Sequence, residues 1–257
     1  MVETAIDFIG VDKRYGDHIA LGAVTLGIEA GQFVALVGAS GSGKTTLLKT
    51  INRLVTPDGG RVRIAGEDVT AQPPHLLRRR IGYVFQEVGL FPHLTVAENI
   101  AITPKLLGWD AARIAARVAE LLALVDLPAA VAARAPSELS GGQRQRVGVA
   151  RALAAEPGLL LMDEPFGALD PVTRDALGSD VRALHERLGL TTVMVTHDMA
   201  EAILLADRII VLKGGAVIAD GAPADLLAQA TDPDVRALID APRRQAARLA
   251  ERLGASS

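Results

Sequence analysis

One octapeptide restricts this chain more than any other stretch: Gly38-Ala39-Ser40-Gly41-Ser42-Gly43-Lys44-Thr45 fits G-x-x-x-x-G-K-[ST]. Such a loop works only between a buried strand and a helix. Its backbone N–H groups must wrap a phosphate chain while the helix turns its positive end toward it. The flanks agree, because residues 32–37 read as a strand and residues 45–53 as a helix. Gly38, Gly41 and Gly43 let the backbone approach phosphates without Cβ clashes, with Ala39, Ser40 and Ser42 between them. Lys44 would bridge the β- and γ-phosphates, Thr45 would ligate Mg²⁺, and Thr46 lies next along the helix, facing the α-phosphate. A Gly-rich turn that merely fits the pattern is the plain alternative. The strand before it and the helix after it argue against that.

A second landmark is the apolar run at 159–162, which indicates a strand covered on both faces and ends in Asp163 and Glu164. Asp163 is placed to hold Mg²⁺, directly or through water, and Glu164 to polarise the attacking water as general base. An isolated Asp-Glu pair after a strand is usually a solvated loop; beside a phosphate loop it is the loop's acidic partner.

The layout is an α/β core with a helical insertion at roughly 87–155. Residues 1–86 and 156–222 form the core, 87–155 the helical subdomain and 223–257 a helical tail. Strands are expected around Ile6, Phe8 and Val11, over 21–28 and over 81–85, with a turn at 56–60 and short strands on either side of Gly66. Ile114, Val118, Leu121, Leu122 and Val125 fall on one face of a helix. Strands return at 159–162, 192–195, 209–212 and 216–219.

At 257 residues, 49% hydrophobic and 22% charged, the chain has ample material for a core. A net charge of −3 carries no nucleic-acid footprint and no polybasic membrane patch. Without cysteine there is no disulfide or thiol chemistry. The start, Met1-Val2-Glu3, shows no secretory signal, and no apolar stretch is long enough to cross a bilayer. Membrane association is therefore expected to run through a partner.

Leu139-Ser140-Gly141-Gly142-Gln143 changes the reading. By itself it is a serine cap on a helix starting at Gly141, with a hydroxyl and bare amides facing any nearby anion. Followed by residues 144–151, it resembles the signature of the ATP-binding-cassette (ABC) ATPases. The resemblance covers essentially the whole chain and implies an α/β P-loop NTPase core, RecA-like, with an antiparallel β subdomain and a helical insertion. It implies that this capped end binds the γ-phosphate held by a second copy, head to tail, around two ATP. It also implies that Tyr15 stacks on adenine, although a tyrosine closing a strand is the ordinary alternative. Gln86 corresponds to the glutamine that ligands Mg²⁺ and senses the transporter. Asp170 ends the D-loop, Ala168-Leu169-Asp170, which crosses the dimer interface. His197 corresponds to the switch histidine that contacts the γ-phosphate and orients Glu164 and water. His93 and His185 lack such a context.

Within that family, the stretches 78–82, 89–100, 164–174 and 239–244 are similar to ATPase subunits of quaternary-amine importers, those for glycine betaine, choline and carnitine. The implied partners are a second copy of the chain, transmembrane permease subunits and, indirectly, a solute-binding protein, with the ATPase peripheral on the cytoplasmic face of the membrane. Many such relatives continue into paired CBS domains; the sequence stops at Ser257, so ionic-strength sensing is expected to lie elsewhere. Amino-acid import, and a soluble ABC ATPase without transport, stand as alternatives. A P-loop nucleotide kinase leaves residues 139–143 and His197 unexplained.

Overall fold

The computed structural model describes residues 4–229 and 232–253. The chain opens with a long hairpin, β1 (Thr4–Tyr15) and β2 (His18–Glu29), closed where Tyr15 pairs with His18. Alternation buries Ile6 and Phe8 and then shifts to Val11, because Gly10 at φ +58° inserts at a register shift and moves the buried face from even to odd positions. β3 (Phe33–Val37) runs into the Gly-rich loop and α1 (Lys44–Ile51). β4 (Gly59–Ile64) pairs antiparallel with β1, and β5 (Glu67–Asp68) with β4.

The turn expected at 56–60 is shorter than its sequence suggests, since β4 already begins at Gly59. Gly60, at φ +72°, backs directly onto the Gly10 backbone, an approach that any Cβ would block. Two glycines far apart in sequence thus make one close crossing.

A short helix α2 (Pro74–Arg79) leads into β6 (Ile81–Val84). After a loop come α3 (Val96–Leu106), α4 (Ala111–Leu124) and α5 (Gly141–Leu153). The apolar face read from the sequence packs as expected: Val118, Leu121, Leu122 and Val125 are buried and Ile114 leans on the same core. Each such leucine contributes about 1.5–3 kcal/mol.

The remaining elements complete a parallel sheet. They are β7 (Leu159–Asp163), α6 (Pro171–Leu188), β8 (Thr191–Val195), α7 (Met199–Leu205), β9 (Arg208–Lys213) and β10 (Ala216–Gly221). Its strand order is β10-β9-β3-β8-β7-β6, and only β10 runs antiparallel to its neighbour. β3, β7 and β8 are buried at every position. Val34, Leu36, Leu161, Val193 and Val195 face α1 and the β1–β2 sheet, while Ala35, Leu160, Met162 and Met194 face the helices. A sheet sandwiched in this way needs apolar residues on both faces, hence the continuous runs.

Two helices follow, α8 (Pro223–Gln229) and α9 (Pro233–Leu253), the latter anchored by a Lys213–Asp234 ion pair and by buried Val235 and Ile239. The expected helical tail at 230–231 and 254–257 lies outside the described residues. Among the described residues no helix is long and apolar enough to cross a membrane.

Candidate functional site

The strand order explains the site. β3, β8, β7 and β6 are consecutive neighbours in a parallel sheet, so the segments that leave their C-terminal ends share one edge. Those segments carry Gly38 to Thr46, His197, Glu164 and Gln86.

The loop after β3 is latched from behind. Ser42 O accepts from Gly215 N (3.1 Å), and Gly215 O accepts from Gly22 N (2.9 Å), tying the loop to both sheets. Gly38 (φ +151°), backed by the Leu212 carbonyl, and Gly43 (φ +103°), backed by the Ala20 carbonyl, leave no room for a Cβ. Ala39, Ser40 and Gly41 form the exposed arc of the loop. Lys44 is buried at 5% exposure, and its Nζ donates to Gly38 O and Ala39 O, both at 2.8 Å. Burial holds its ammonium below the usual lysine value, opposed by the charges of Glu164 and Asp163. The result is a cation facing carbonyls, whose place phosphate oxygens can take. Thr45 and Thr46 follow on the first turn of α1.

Asp163, buried at the end of β7, accepts from the Thr45 hydroxyl through Oδ1 (2.9 Å). Its Oδ2 accepts from the Tyr83 hydroxyl (3.1 Å) and pairs with Lys49 Nζ (3.3 Å). Burial, then the neighbouring Asp163 charge, pushes the Tyr83 phenol upward, so it stays a donor. Sequence reasoning missed both Tyr83 and Lys49. A signal existed for Lys49, which stands four residues after Thr45 on the same helix face. Tyr83 is visible only in the register, where it lies opposite Leu161, two residues from Asp163 on the same face of β7.

A hard cation fits the Thr45 hydroxyl and Asp163 carboxylate, which are oxygen donors only. Among the described residues no group of three or more His, Cys, Asp or Glu side chains could hold a metal unaided. Such a cation therefore depends on further oxygens brought by a nucleotide, the usual habit of Mg²⁺.

Glu164 takes a left-handed backbone (φ +45°), which costs a non-glycine residue about 1–3 kcal/mol, and its N–H donates to Val195 O (3.0 Å). Its Oε2 is met by His197 Nδ1 at 3.1 Å and Gln86 Nε2 at 3.4 Å. Gln86 donates to that oxygen, and His197 does so in the tautomer that carries its proton on Nδ1. Three strand ends therefore converge on one carboxylate.

The other residues singled out from the sequence stand apart. Ser140 Oγ accepts from Gln143 N (3.2 Å), and Gln143 Oε1 accepts from Ser140 N (3.0 Å), a reciprocal capping box at the start of α5. Gly141 and Gly142 form its first turn, and a Cβ on Gly142 would sit 2.6 Å from Thr173. Asp170 caps α6 by accepting from Thr173 N (3.0 Å), and these Thr173 hydrogen bonds hold its carboxyl below the usual range. Among the described residues no hydrogen bond joins this second cluster to the phosphate loop. Tyr15, 51% exposed, closes the β1–β2 hairpin with Lys13 Nζ 5.5 Å from its ring centroid. His185 is structural, buried edge-on to Phe33 with Nδ1 3.0 Å from Thr192 Oγ1.

A single copy thus presents two separate clusters, a lysine loop with its acids and a serine-capped helix. Residues 21–167 match the ABC transporter family. The chain belongs to that family. Among curated relatives, this cassette is 52% identical over 230 residues to the choline transport ATP-binding protein OpuBA of Bacillus subtilis, covering 89% of this chain and 60% of that protein. It is 53% identical to the glycine betaine/carnitine/choline transport ATP-binding protein OpuCA of the same organism, over 84% of this chain and 57% of that one. With the glycine betaine uptake system ATP-binding protein YehX of Escherichia coli it shares 50% identity, over 90% of this chain and 75% of that protein. The cassette therefore spans about 60% of the length of the first two.

Solved structures agree on the fold. The ATP-binding cassette MJ0796, a dimer in a post-hydrolysis state bound to ADP and Pi, superposes with a TM-score of 0.76 at 36% identity, over 84% of this chain and 98% of that one. The cbiO1 subunit of the Clostridium perfringens cbiONQ transporter complex superposes at 0.82 with 26% identity, over 97% and 99%.

Proposed function

We propose that this chain is the ATP-hydrolysing subunit of an ABC importer for a quaternary amine such as glycine betaine, choline or carnitine. The supporting observation is the convergence of Gln86 and His197 on Glu164 Oε2, beside the Asp163–Thr45 pair and the lysine loop. The relatives named for choline, carnitine and glycine betaine transport support the substrate class.

In this reading, residues 38–46 cradle the phosphates of ATP and Tyr15 stacks on its adenine. Lys44 exchanges its carbonyl partners for β- and γ-phosphate oxygens. Thr45 and Asp163, with Gln86, would hold Mg²⁺, which would neutralise charge on the phosphates. Glu164 takes a proton from the attacking water, and His197, beside Glu164 Oε2, contacts the γ-phosphate and orients Glu164 and the water. Ser140, Gly141, Gly142 and Gln143 contact that phosphate from a second copy, head to tail, with Asp170 at the junction. The division into a core (1–86 and 156–222), a helical subdomain (87–155) and a tail (223–257) belongs to the same proposal. Closure does work because ATP binds the closed pair better than the open one.

The permease would press into the groove beside the site. Exposed Leu54, Phe85 and Phe91 line a cavity of about 320 Å³ together with Arg78 and Arg79. Phe85 adjoins Gln86, so an apolar helix seated there touches the segment that reaches Glu164. The subunit then works from the cytoplasmic face of the membrane, with a solute-binding protein engaged only through the permease.

Glu164→Gln tests the carrying observation. Turnover should fall by about 10²–10⁴, the range for losing a general base, while ATP accumulates a stable dimer on a sizing column. Hydrolysis at the wild-type rate would remove Glu164 from its role. A binding screen of the solute-binding protein that serves the same permease tests the substrate class, and selectivity for an amino acid would overturn it.

A further inference from the structure

The residues on either side of His197 in the chain belong to a charged cluster with no part in the chemistry above. Thr196, 2% exposed, donates its hydroxyl to Glu201 Oε2 at 2.6 Å and accepts from Asp198 N at 3.0 Å. Asp198 Oδ1 in turn accepts from Ala200 N (2.8 Å) and caps α7. The residues flanking His197 are thus pinned to the first turn of α7.

Arg174, on the first turn of α6, faces both acids. Its Nη1 lies 3.6 Å from Asp198 Oδ2 and its Nε 3.6 Å from Glu201 Oε1, while Nη2 donates to Leu169 O at 3.2 Å. Both ionic contacts are longer than a hydrogen bond, and Nε is buried with no hydrogen-bond partner. A buried N–H left unpaired is unfavourable, so closing either 3.6 Å gap would be favoured. Burial raises the Glu201 carboxyl above its usual value, with the Thr196 hydrogen bond, Arg174 and His197 acting the other way and Asp198 adding to the rise. Leu169, whose carbonyl Arg174 holds, also borders Gly141 at the serine-capped end of α5. One connected set of contacts therefore runs from Gly141 through Leu169, Arg174, Glu201 and Thr196 to His197.

We propose that Arg174 and Glu201 are positioning residues that tie the loop at 168–170 to the segment carrying His197, so that movement of that loop re-seats His197 against Glu164. The inference rests on the roles given above to Glu164 and His197. A second copy docking at the 168–170 loop would then set the geometry of the base without touching it.

The test is steady-state ATPase kinetics of Arg174→Ala, Glu201→Gln and the double variant, with ATP affinity and melting temperature measured alongside. Each single variant should lower kcat about tenfold with KM and ATP affinity within about twofold, since neither residue touches the nucleotide. The double variant should be no worse than the poorer single, as for two halves of one link. Arg174→Lys, able to meet one carboxylate, should recover part of the loss. Glu201→Gln keeps an acceptor for Thr196 and decides the matter should Arg174→Ala fail to fold. Losses that multiply in the double variant, KM rising with kcat unchanged, or a loss recovered wholly by cooling would overturn the proposal. Glu164→Gln and His197→Ala in the same assay separate the two levels. If these two keep wild-type turnover, the underlying reading falls and takes the linkage with it. If they are inactive while the Arg174 and Glu201 variants are normal, the linkage alone falls.

Discussion

Asp163 is held by three side chains from two elements, Thr45 and Lys49 on α1 and Tyr83 on β6. One of its oxygens is thereby committed to the protein, and the other faces the Thr45 hydroxyl. Tyr83→Phe deletes one of these hydrogen bonds and leaves the ring in place, so urea denaturation should show a loss of about 1 kcal/mol. Lys44→Ala removes a buried cation whose proposed contacts with phosphate would be charge-assisted. At about 1.5–3 kcal/mol, ATP affinity should weaken by about ten- to a hundredfold, read by titration with a fluorescent analogue. Unchanged affinity would argue against the loop as the nucleotide cradle. Lys44, Asp163 and Glu164 were legible in the sequence because chemistry and spacing coincide within a few residues. Tyr83 and Arg174 were not, because what gives them meaning is a neighbour on another element.

Short elements place the chemistry as firmly as long ones. The capping box of Ser140 and Gln143 satisfies donors at the start of α5 and leaves the hydroxyl proton free. Ser140→Ala should cost about 1 kcal/mol of stability from the lost cap, whereas Ser140→Asn, which can still cap, should cost less. The proposed action across two copies has its own readout. Mixed Ser140→Ala and Lys44→Ala chains should regain activity through the one intact site in each heterodimer, and a mixture as inactive as its parts would refute that arrangement. The period of α4 and the cap of α5 could be read from local pattern, since helix contacts are local. The bulge at Gly10 and its meeting with Gly60 could not, since a bulge is defined only against the partner strand.

Stability of the molecule as a whole depends on pH through carboxylates that cap or close local turns. Asp68, Glu98 and Asp170 are held below their ordinary values, chiefly by hydrogen bonds from Thr70, Thr95 and Thr173 respectively. A group lowered on folding adds stability that is fully present above its unfolded value and is lost as pH falls through its folded one. The window therefore opens at 4.5 for Glu98 and 3.8 for the aspartates and extends downward. Urea midpoints between pH 7 and pH 3 should fall less steeply on the acid side for Asp68→Asn, Glu98→Gln and Asp170→Asn combined than for wild type; parallel curves would contradict this. In the core, Leu161 is fully buried in β7, and Leu161→Ala should cost about 2–5 kcal/mol in the same assay.

The amino-acid sequence alone determined where the Gly-rich loop and the Asp163–Glu164 pair sit, where the buried strands end and that Ser140 caps a helix. All of these are properties of neighbours along the chain. Only the tertiary structure decided that β3 lies beside β8, β8 beside β7 and β7 beside β6, which puts Lys44, His197, Glu164 and Gln86 on one edge. Strands with equally apolar faces carry little in their own residues to choose a partner. The choice is made by which order buries both faces of the whole sheet at once, a condition no single segment contains.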